Sequence, residues 1–309
     1  MNFLKPKFWN KKNNLISLLL YPISFFIQIL FVIKKKITYG NTFKIPIICI
    51  GNIYVGGTGK TPLCIMLSKE FSQKGINSAI IKKYYSKHVD EHKLITNSGN
   101  NLFLSNSRAK AIRNAENRNF ELAILDDGFQ DSSVNKNLNI ICFNEKQMIG
   151  NGMTLPSGPL RESMSAIKNA QIIVINGTKN KDFEKKILDI SSTIKIFYSS
   201  YKPLNGAHFK DKKLFAFAGI GNPDNFFKLL RDEGLNLQKS LAFPDHYQFT
   251  KSEIQKIFEE SIKNNFDLIT TEKDFFRIKE FGFQNIKYLK IELQIKEKDQ
   301  FIKEILKHL

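Results

Sequence analysis

An apolar, β-rich run leads directly into a glycine-rich turn that ends in Gly59, Lys60 and Thr61. The run covers residues 45–50, and a helical pattern of apolar residues follows the turn. Strand, loop and helix in this order are what a phosphate-binding loop needs, because the N–H groups of the loop and the positive end of the helix dipole attract phosphate oxygens. The stretch therefore predicts an α/β fold with a nucleotide at the carboxyl end of this strand.

The residues of this loop have distinct expected roles. Lys60 would reach the β- and γ-phosphates of a nucleotide, and the hydroxyl of Thr61 would hold Mg²⁺. Tyr54 stands where the usual pattern has a glycine. A glycine-rich turn with an incidental lysine is the alternative, but the flanking strand and helix favour the phosphate-binding loop. The predicted nucleotide-binding residues are Tyr54, Val55, Gly56, Gly57, Thr58, Gly59, Lys60 and Thr61.

A second apolar run ends in two carboxylates. Residues 122–125 are followed by Asp126, Asp127 and Gly128. A carboxylate at the end of a buried strand is the partner that a phosphate-binding loop uses to hold Mg²⁺. We predict that Asp126 is this ligand, and that Asp127 either assists it or caps the next turn. A solvated turn at the end of a strand is the ordinary alternative.

A segment dense in glycine and proline, residues 150–162, ends in Arg161 and Glu162. This composition is typical of a rigid loop. The planar guanidinium of Arg161 suits a phosphate group, and Glu162 is a candidate metal ligand. A long structural turn explains the composition equally well.

Two further segments contain candidate acid–base groups. Asp90 follows the second predicted strand, near the expected nucleotide, where its carboxylate would accept a proton from an attacking hydroxyl. His246 follows Asp245 between aromatic residues, and an adjacent carboxylate orients an imidazole and raises its basicity. A surface charge pair and a packed loop are the respective alternatives. Residues 271–274, after a later strand, indicate an exposed charged turn.

The net charge of +18 is concentrated near the N-terminus. Ten lysines precede the first acidic residue, Glu70, and several of them flank an apolar stretch. A basic chain often binds nucleic acid, but basic residues around an apolar helix favour an anionic membrane surface instead.

The apolar stretch covers the nineteen uncharged residues 15–33, which is just long enough to cross a hydrocarbon core. Pro22 and Gln28 weaken a spanning helix, and lysines on both flanks give no clear orientation. A helix that lies in the membrane interface fits at least as well, and a core helix of a soluble domain is the third alternative. A cleaved signal peptide is not expected, because no small-residue cleavage site follows.

The cysteines lie in apolar segments without paired spacing. They predict buried, small apolar side chains in a reducing compartment, and neither a disulfide framework nor a metal site. They are Cys49, Cys64 and Cys142.

Beyond the first helix, short apolar runs alternate with helical patterns, which predicts parallel sheets with helices on both faces. Predicted strands cover 47–50, 78–81, 122–125, 139–143, 171–175, 213–218, 267–270 and 286–291, and helices cover 61–74, 107–117, 224–233 and 251–265. Residues 198–206 are a predicted connection. The predicted domains are therefore an N-terminal membrane-associated helix with basic flanks at 1–40, a core at 41–205 and a smaller α/β domain at 206–309.

Several of these segments share their order along the chain with one known family. They are Gly51-Asn52, Val55 to Pro62, Asp90-Glu91, Asp126 to Gln130, Gly150-Asn151-Gly152, Leu155-Pro156, Gly158 to Glu162, Gly219 to Pro223, Phe243 to His246 and Thr271 to Asp274. In this set the chain resembles the tetraacyldisaccharide 4′-kinase family of lipid A biosynthesis. The likeness spans nearly the whole chain and is specific, because general phosphate-loop enzymes lack the later segments.

The resemblance implies a membrane-associated kinase with a P-loop NTPase-like core, which uses ATP and Mg²⁺. Such an enzyme would transfer the γ-phosphate of ATP to the 4′-hydroxyl of tetraacyldisaccharide 1-phosphate and form lipid IVA, a precursor of lipopolysaccharide. Its place would be the cytoplasmic face of the bacterial inner membrane. Its partners would be the acylated glucosamine disaccharide 1-phosphate and the membrane lipid surface, with no nucleic acid and no obligatory protein partner.

The resemblance also implies roles for the candidate residues. The expected catalytic residues are Asp90, His246 and Lys60, the expected metal ligands are Thr61, Asp126 and Glu162, and the expected substrate-binding residues are Arg161 and Asp127. The chain departs from the family pattern at several positions near this site. They are Lys82, Lys83, Tyr84 and Tyr85 in place of Ser-Arg-Gly-Tyr, Val89 in place of glycine, His92 in place of proline and Asp131 in place of histidine.

Two other functions are compatible with parts of the sequence. A membrane-associated P-loop ATPase that drives transport or assembly would have the same phosphate-binding loop, but it would hydrolyse ATP without a sugar-lipid acceptor. A nucleic-acid-binding protein is suggested by charge alone, and no motif of interleaved aromatic and basic residues supports it.

Overall fold

The computed structural model describes residues 6–85, 89–245 and 247–309, which form two compact units. The larger unit contains residues 6–84, 99–200 and 293–309, and the smaller unit contains 85, 89–98, 201–245 and 247–292. Neither unit is continuous in sequence. The predicted domains 1–40, 41–205 and 206–309 divide the chain by sequence alone, and they stay a prediction.

The described helices and strands alternate along most of the chain. In order they are α1 (Leu15–Ile37), β1 (Ile47–Gly51), α2 (Lys60–Gln73), β2 (Ser78–Lys83), α3 (Val89–Asn97), β3 (Asn101–Ser105), α4 (Arg108–Glu116), β4 (Leu122–Asp126), β5 (Leu138–Asn144), β6 (Ile172–Asn176), α5 (Lys181–Ile190), β7 (Lys195–Pro203), β8 (Leu214–Ala218), α6 (Pro223–Asp232), β9 (Leu237–Ala242), α7 (Lys251–Lys263), β10 (Asp267–Thr271), α8 (Glu272–Ile278), β11 (Ile286–Leu289), β12 (Ile291–Ile295) and α9 (Lys298–Leu306). Short 3₁₀ helices cover Lys7–Asn10, Met164–Asn169, Gly206–Phe209 and Lys279–Phe281.

The sheet of the larger unit has the strand order β12-β7-β6-β5-β1-β4-β2-β3 in the described part of the chain. The six pairings from β7 through to β3 are parallel, as the alternation predicts. Strand β1 lies between β4 and β5. On one side of it lie β4, β2 and β3, and on the other lie β5, β6, β7 and β12, so the strand order reverses at β1. In open α/β sheets a ligand binds at the carboxyl ends of the strands at such a switch point.

Helices cover both faces of this sheet, as predicted. Helices α4 and α5 contribute to the apolar cluster that contains Ile47 and Cys49 of β1. Helix α2 packs on β1, β2 and β4 with residues that lie outside this cluster. The strands β1, β4 and β6 are buried along their whole length, as expected for parallel strands that are covered on both sides.

The smaller unit has a second parallel sheet, in the order β11-β10-β8-β9. Alternate residues of β8 belong to two different apolar clusters. Ala216 packs in a cluster with Phe227 of α6, and Phe217 packs in another with Ile254 of α7. Because successive side chains of a strand point to opposite faces, this unit is also a sheet covered by helices on both sides.

The structure corrects two sequence predictions in this region. Residues 198–206 were predicted as a connection, but β7 continues to Pro203 and alternates between buried and more exposed positions. Ser199 is polar and yet 0% exposed, so it interrupts the alternation of apolar and polar residues that signals a strand. Residues 286–291 form β11 and the first residue of β12, which belong to different sheets. Between the two strands, the N–H of Lys290 donates to Oδ1 of Asn205 over 2.8 Å.

The predicted apolar helix is present as α1, which is long and apolar enough to cross a membrane by length and composition alone. Three of its polar residues face the protein: Asn151 donates to the hydroxyl of Ser17 over 3.0 Å, Ser24 donates to that of Ser157 over 2.7 Å, and Gln28 donates to the carbonyl of Arg161 over 3.2 Å. The other sides of α1 expose large apolar residues. The three cysteines are buried and free of disulfide bonds, as predicted.

Gly51, at the end of β1, is predicted to be sensitive to substitution. A Cβ at this position would lie 2.4 Å from Cβ and 3.1 Å from the backbone nitrogen of Phe129. We expect Gly51→Ala to lower the free energy of unfolding by about 1–3 kcal/mol through overpacking. Gly206→Ala is the control, since its nearest new contact is at 3.5 Å. Equal urea midpoints for the two variants would contradict the tight packing of Gly51 on Phe129.

Candidate active site

The loop between β1 and α2 has the backbone of a phosphate-binding loop. Gly56 and Gly59 have φ angles of 126° and 93°, which side-chain-bearing residues rarely adopt. The buried side-chain amide of Asn52 donates to the carbonyl of Gly56 over 3.2 Å and to the hydroxyl of Thr58 over 3.0 Å. Helix α2 begins immediately afterwards at Lys60, so its first N–H groups lack intrahelical partners and are available to an anion.

The glycine- and proline-rich segment lies beside this loop. The N–H of Val55 donates to the carbonyl of Pro159 over 2.9 Å, and the N–H of Arg161 donates to the carbonyl of Ile53 over 2.7 Å. Between them, Tyr54 and Leu160 form an antiparallel bridge. The side chain of Tyr54 is buried in the apolar core, so this residue would meet a nucleotide through its backbone. The structure thus brings the two predicted segments together.

Asp127 forms ion pairs with Lys60 and Arg161. One guanidinium nitrogen of Arg161 lies 3.0 Å from each carboxylate oxygen, and Nζ of Lys60 lies 3.5 Å from Oδ1. Burial raises the pKa of Asp127, but these two cations outweigh it and hold the pKa well below its usual range. Asp127 is therefore ionised at neutral pH, between two cations that sequence analysis assigned to phosphate recognition.

Arg108, a residue that sequence analysis missed, stabilises the turn that contains Asp127. Its guanidinium donates to the carbonyl of Asp127 over 2.7 Å and to Oδ2 of Asp131 over 2.9 Å. Asp127 itself has a φ of 59°, in the left-handed region. Asp131, which stands where the family has histidine, therefore orients the arginine that supports this turn.

Asp126 lies beneath the phosphate-binding loop, and its side chain contacts Thr61 and Lys82. The hydroxyl of Thr61 donates to Oδ2 over 2.9 Å, and Nζ of Lys82 forms an ion pair with the same oxygen. Asp126 is fully buried, and its Oδ1 has no hydrogen-bond partner among the described residues. Sequence analysis missed Lys82. The sequence signal that could have found it is its place directly after the apolar run of residues 78–81.

Glu162, the third expected metal ligand, forms an ion pair with a lysine of α1, whereas Thr61 and Asp126 contact each other. Its Oε2 lies 2.5 Å from Nζ of Lys35 on α1, and its Oε1 is buried without a hydrogen-bond partner in the described part of the chain. Within residues 6–85, 89–245 and 247–309, no group of three or more His, Cys, Asp or Glu residues could hold a metal ion.

The donor set nevertheless fits Mg²⁺. This ion prefers oxygen ligands, keeps several waters and shares the phosphates of its nucleotide, so it needs only one or two protein ligands. The unsatisfied carboxylate oxygens of Asp126 and Glu162 and the hydroxyl of Thr61 are suitable ligands of this kind.

In the smaller unit, Asp90 belongs to a buried ionic network. It lies in the first turn of α3, and its Oδ2 accepts from Arg277 of α8 over 2.5 Å. Arg277 also donates to Oδ1 of Asp274 over 2.6 Å and to the carbonyl of Gly219 over 2.8 Å. Gly219 and Asp274, which lie far from Asp90 in the sequence, therefore support Asp90 through Arg277.

The prediction of an exposed charged turn at 271–274 is wrong. These residues end β10 and begin α8, and Asp274 is 0% exposed. Its carboxylate accepts from the N–H of Gly219 over 2.9 Å and from the hydroxyl of Thr271 over 2.7 Å, while burial raises its pKa. Burial lowers the pKa of Lys273, but Glu91, 2.5 Å away, and Asp90 outweigh this effect and raise it. The predicted catalytic residue His246 lies outside the described residues.

Comparisons with known proteins identify the family. The profile of the family described as Tetraacyldisaccharide-1-P 4'-kinase matches residues 16–309. The protein named Tetraacyldisaccharide 4'-kinase from Pelagibacter ubique is 39% identical over an alignment of 311 residues, which covers 99% of this chain and 98% of that protein. Its namesake from Rickettsia canadensis is 30% identical over 326 residues, with coverage of 99% and 98%.

A solved structure shares the fold. The crystal structure of the "apo" form of LpxK from Aquifex aeolicus in complex with ATP has a TM-score of 0.71 and 23% identity, and the match covers 95% of this chain and 99% of that one. The resemblance inferred from the sequence is thus confirmed by the family profile and by relatives of full length. The chain belongs to the tetraacyldisaccharide-1-P 4'-kinase family.

Proposed function

We propose that the chain transfers the γ-phosphate of ATP to the 4′-hydroxyl of tetraacyldisaccharide 1-phosphate and so forms lipid IVA. The observation that carries this proposal is the hydrogen bond of 2.9 Å between Thr61, at the start of α2, and Asp126, at the end of β4, beside Lys60. It joins a phosphate-binding loop to a buried carboxylate, in a chain whose full-length relatives are named for this reaction.

ATP would bind in the loop of residues 54–61. The N–H groups at the start of α2 would contact phosphate oxygens, and the ammonium of Lys60 would neutralise charge on the β- and γ-phosphates. Thr61, Asp126 and Glu162 would hold Mg²⁺, which neutralises charge that develops during phosphoryl transfer. Because phosphoryl transfer depends mainly on alignment and electrostatic stabilisation, these contacts supply most of the catalysis.

Asp90 would accept the proton of the sugar hydroxyl, assisted by His246. The bond from Arg277 fixes one carboxylate oxygen of Asp90, and Arg277 is itself held by Asp274 and by the carbonyl of Gly219. A side chain whose orientation is fixed by buried partners loses little entropy when a substrate arrives. This network therefore supports a positioned base at residue 90.

Arg161 and Asp127 would bind the substrate. Arg161 has a fork geometry that suits a phosphate, and it now contacts a carboxylate that has a comparable shape. A phosphate of the substrate would replace or share this contact. Arg108 fixes the turn that carries Asp127, so a substrate phosphate would have to fit a defined geometry to make this contact.

The chain would work at the cytoplasmic face of the inner membrane, with α1 in the lipid interface. The apolar side chains that α1 exposes would enter the lipid, and the lysines at its C-terminal end would meet anionic headgroups. Membrane attachment confines the enzyme to the surface where an acylated substrate resides.

Lys60→Ala is predicted to abolish most of the transfer activity. Loss of the ammonium should lower kcat by about 10²–10³-fold, since it removes charge stabilisation of the transferring phosphoryl group. The measurement is transfer of ³²P from labelled ATP to the purified disaccharide precursor. Lys74→Ala, at the exposed C-terminal end of the same helix, should leave the rate unchanged. ATP hydrolysis by the wild-type chain that needs no sugar lipid would instead favour the transport or assembly ATPase.

Asp90→Asn is predicted to lower kcat by about 10²–10⁴-fold with little change in KM, because the amide keeps the shape of the side chain but cannot accept the proton. The same ³²P assay measures both constants, and thermal melting verifies that the variant folds. Asp232→Asn is the control, since Asp232 is exposed and its ion pair with Lys228, at 3.9 Å, lies at the surface. A change confined to KM would assign Asp90 to binding and reject its role as base.

The double variant Leu19→Glu/Phe26→Glu is predicted to detach the chain from membranes. Leu19 and Phe26 are 71% and 61% exposed, so the changes spare the folded core, and each removes about 1.5–3 kcal/mol of transfer free energy into lipid. The measurement is co-sedimentation with phosphatidylglycerol vesicles. Leu188→Glu, at a residue of α5 that is 41% exposed, should remain bound. Undiminished binding of the double variant would reject α1 as the anchor.

A further inference from the structure

Lys82 is a buried lysine at the end of β2, next to the predicted metal site. It is 5% exposed, and it pairs in the strand register with Asp126 of β4. Burial of an ammonium is unfavourable unless an anion compensates it. The carboxylate of Asp126, which is itself buried, provides this compensation through the ion pair with Nζ.

The ion pair involves the carboxylate oxygen that also accepts from Thr61. Oδ2 of Asp126 receives the hydroxyl of Thr61 over 2.9 Å and the ammonium of Lys82, whereas Oδ1 has no hydrogen-bond partner within the described residues. Thr61 and Asp126 are the residues that would hold Mg²⁺ in the proposed function. The ammonium therefore lies where a divalent cation would be attracted by the same carboxylate.

We propose that Lys82 is a tethered cation that competes with a divalent metal ion for Asp126 and suppresses metal binding when no nucleotide is present. The inference rests on the proposed function for the identity of the metal site. An ammonium has no lone pair, so it repels the ion that it adjoins and cannot act as its ligand. A nucleotide adds phosphate charges, which attract both cations and let them be accommodated together.

The physical consequence is an order of binding. Without nucleotide, the charge of Asp126 is already balanced by Lys82, and a free metal ion gains little at this carboxylate. With nucleotide, the metal ion arrives with the negative charge of the phosphates. Lys82 thus makes the site selective for a metal–nucleotide complex over the metal ion alone.

The test measures Mn²⁺ binding to the nucleotide-free chain by electron paramagnetic resonance, for the wild type, Lys82→Met and Lys83→Met. Lys83 follows Lys82 on β2, so its side chain points to the opposite face, and its substitution removes the same charge. We expect the Mn²⁺ dissociation constant to fall roughly tenfold or more in Lys82→Met, because repulsion at contact distance is removed. Lys83→Met should bind Mn²⁺ as the wild type does.

Equal affinity of Lys82→Met and the wild type would overturn the proposal, and so would an equal gain in Lys83→Met, which would indicate a general charge effect. If Lys82→Met does not fold, Lys82→Gln removes the charge and keeps a hydrogen-bond donor. In Lys82→Gln/Asp126→Asn the gain in affinity should disappear. A gain that persists in the double variant would place the competing site elsewhere and overturn the proposal.

These measurements use neither ATP nor the lipid substrate, so they separate this proposal from the proposed function. Binding of a fluorescent ATP analogue to the wild-type chain tests nucleotide recognition independently. Absence of such binding would count against the kinase, while the Mn²⁺ affinities would still decide whether Lys82 competes for Asp126.

Discussion

The register of three parallel strands controls the arrangement of the phosphate-binding site. Asp126 of β4 pairs with Ile50 of β1 on one side and with Lys82 of β2 on the other. Residue 50 is the last before Gly51, where the chain leaves the strand for the loop, so the carboxylate lies directly under that loop. A shift of one residue in any of these pairings would turn the side chain to the other face of the sheet. Backbone hydrogen bonds, and not the loop itself, thus set the position of the carboxylate.

Buried and half-buried ions are paired at each candidate centre. In the larger unit, Asp126 is paired with Lys82, and Asp127 with Arg161. In the smaller unit, Asp90 and Asp274 share Arg277. Such pairs contribute little net stability, since desolvation offsets most of their attraction, but removal of one partner leaves a costly unpaired charge. Their effect is to fix orientation, which is what phosphoryl transfer requires of the groups around the phosphates.

The sequence predicted much of the fold and the phosphate-binding loop, because both depend on local patterns. The apolar runs of β1 and β4 and the glycines before Lys60 are signals of this kind. The sequence did not predict β7, in which the buried residue 199 is a serine, or the helical placement of Asp274. The partnerships of Arg277 with Asp90 and of Lys82 with Asp126 were also missed. They join residues far apart in sequence, 187 and 44 positions respectively, and spacing holds no information about such contacts.

Helix α1 is connected to the candidate active site by its polar residues. Ser17, Ser24, Gln28 and Lys35 follow each other at intervals of seven, four and seven residues, which places them on one helical face. Their partners lie in the segment from Asn151 to Glu162, the segment that also carries Arg161. Polar groups on an otherwise apolar helix need such partners, because an unsatisfied donor in lipid is costly. The face that satisfies these groups is therefore the face that supports the loop, and the large apolar side chains of α1 are exposed on its other faces.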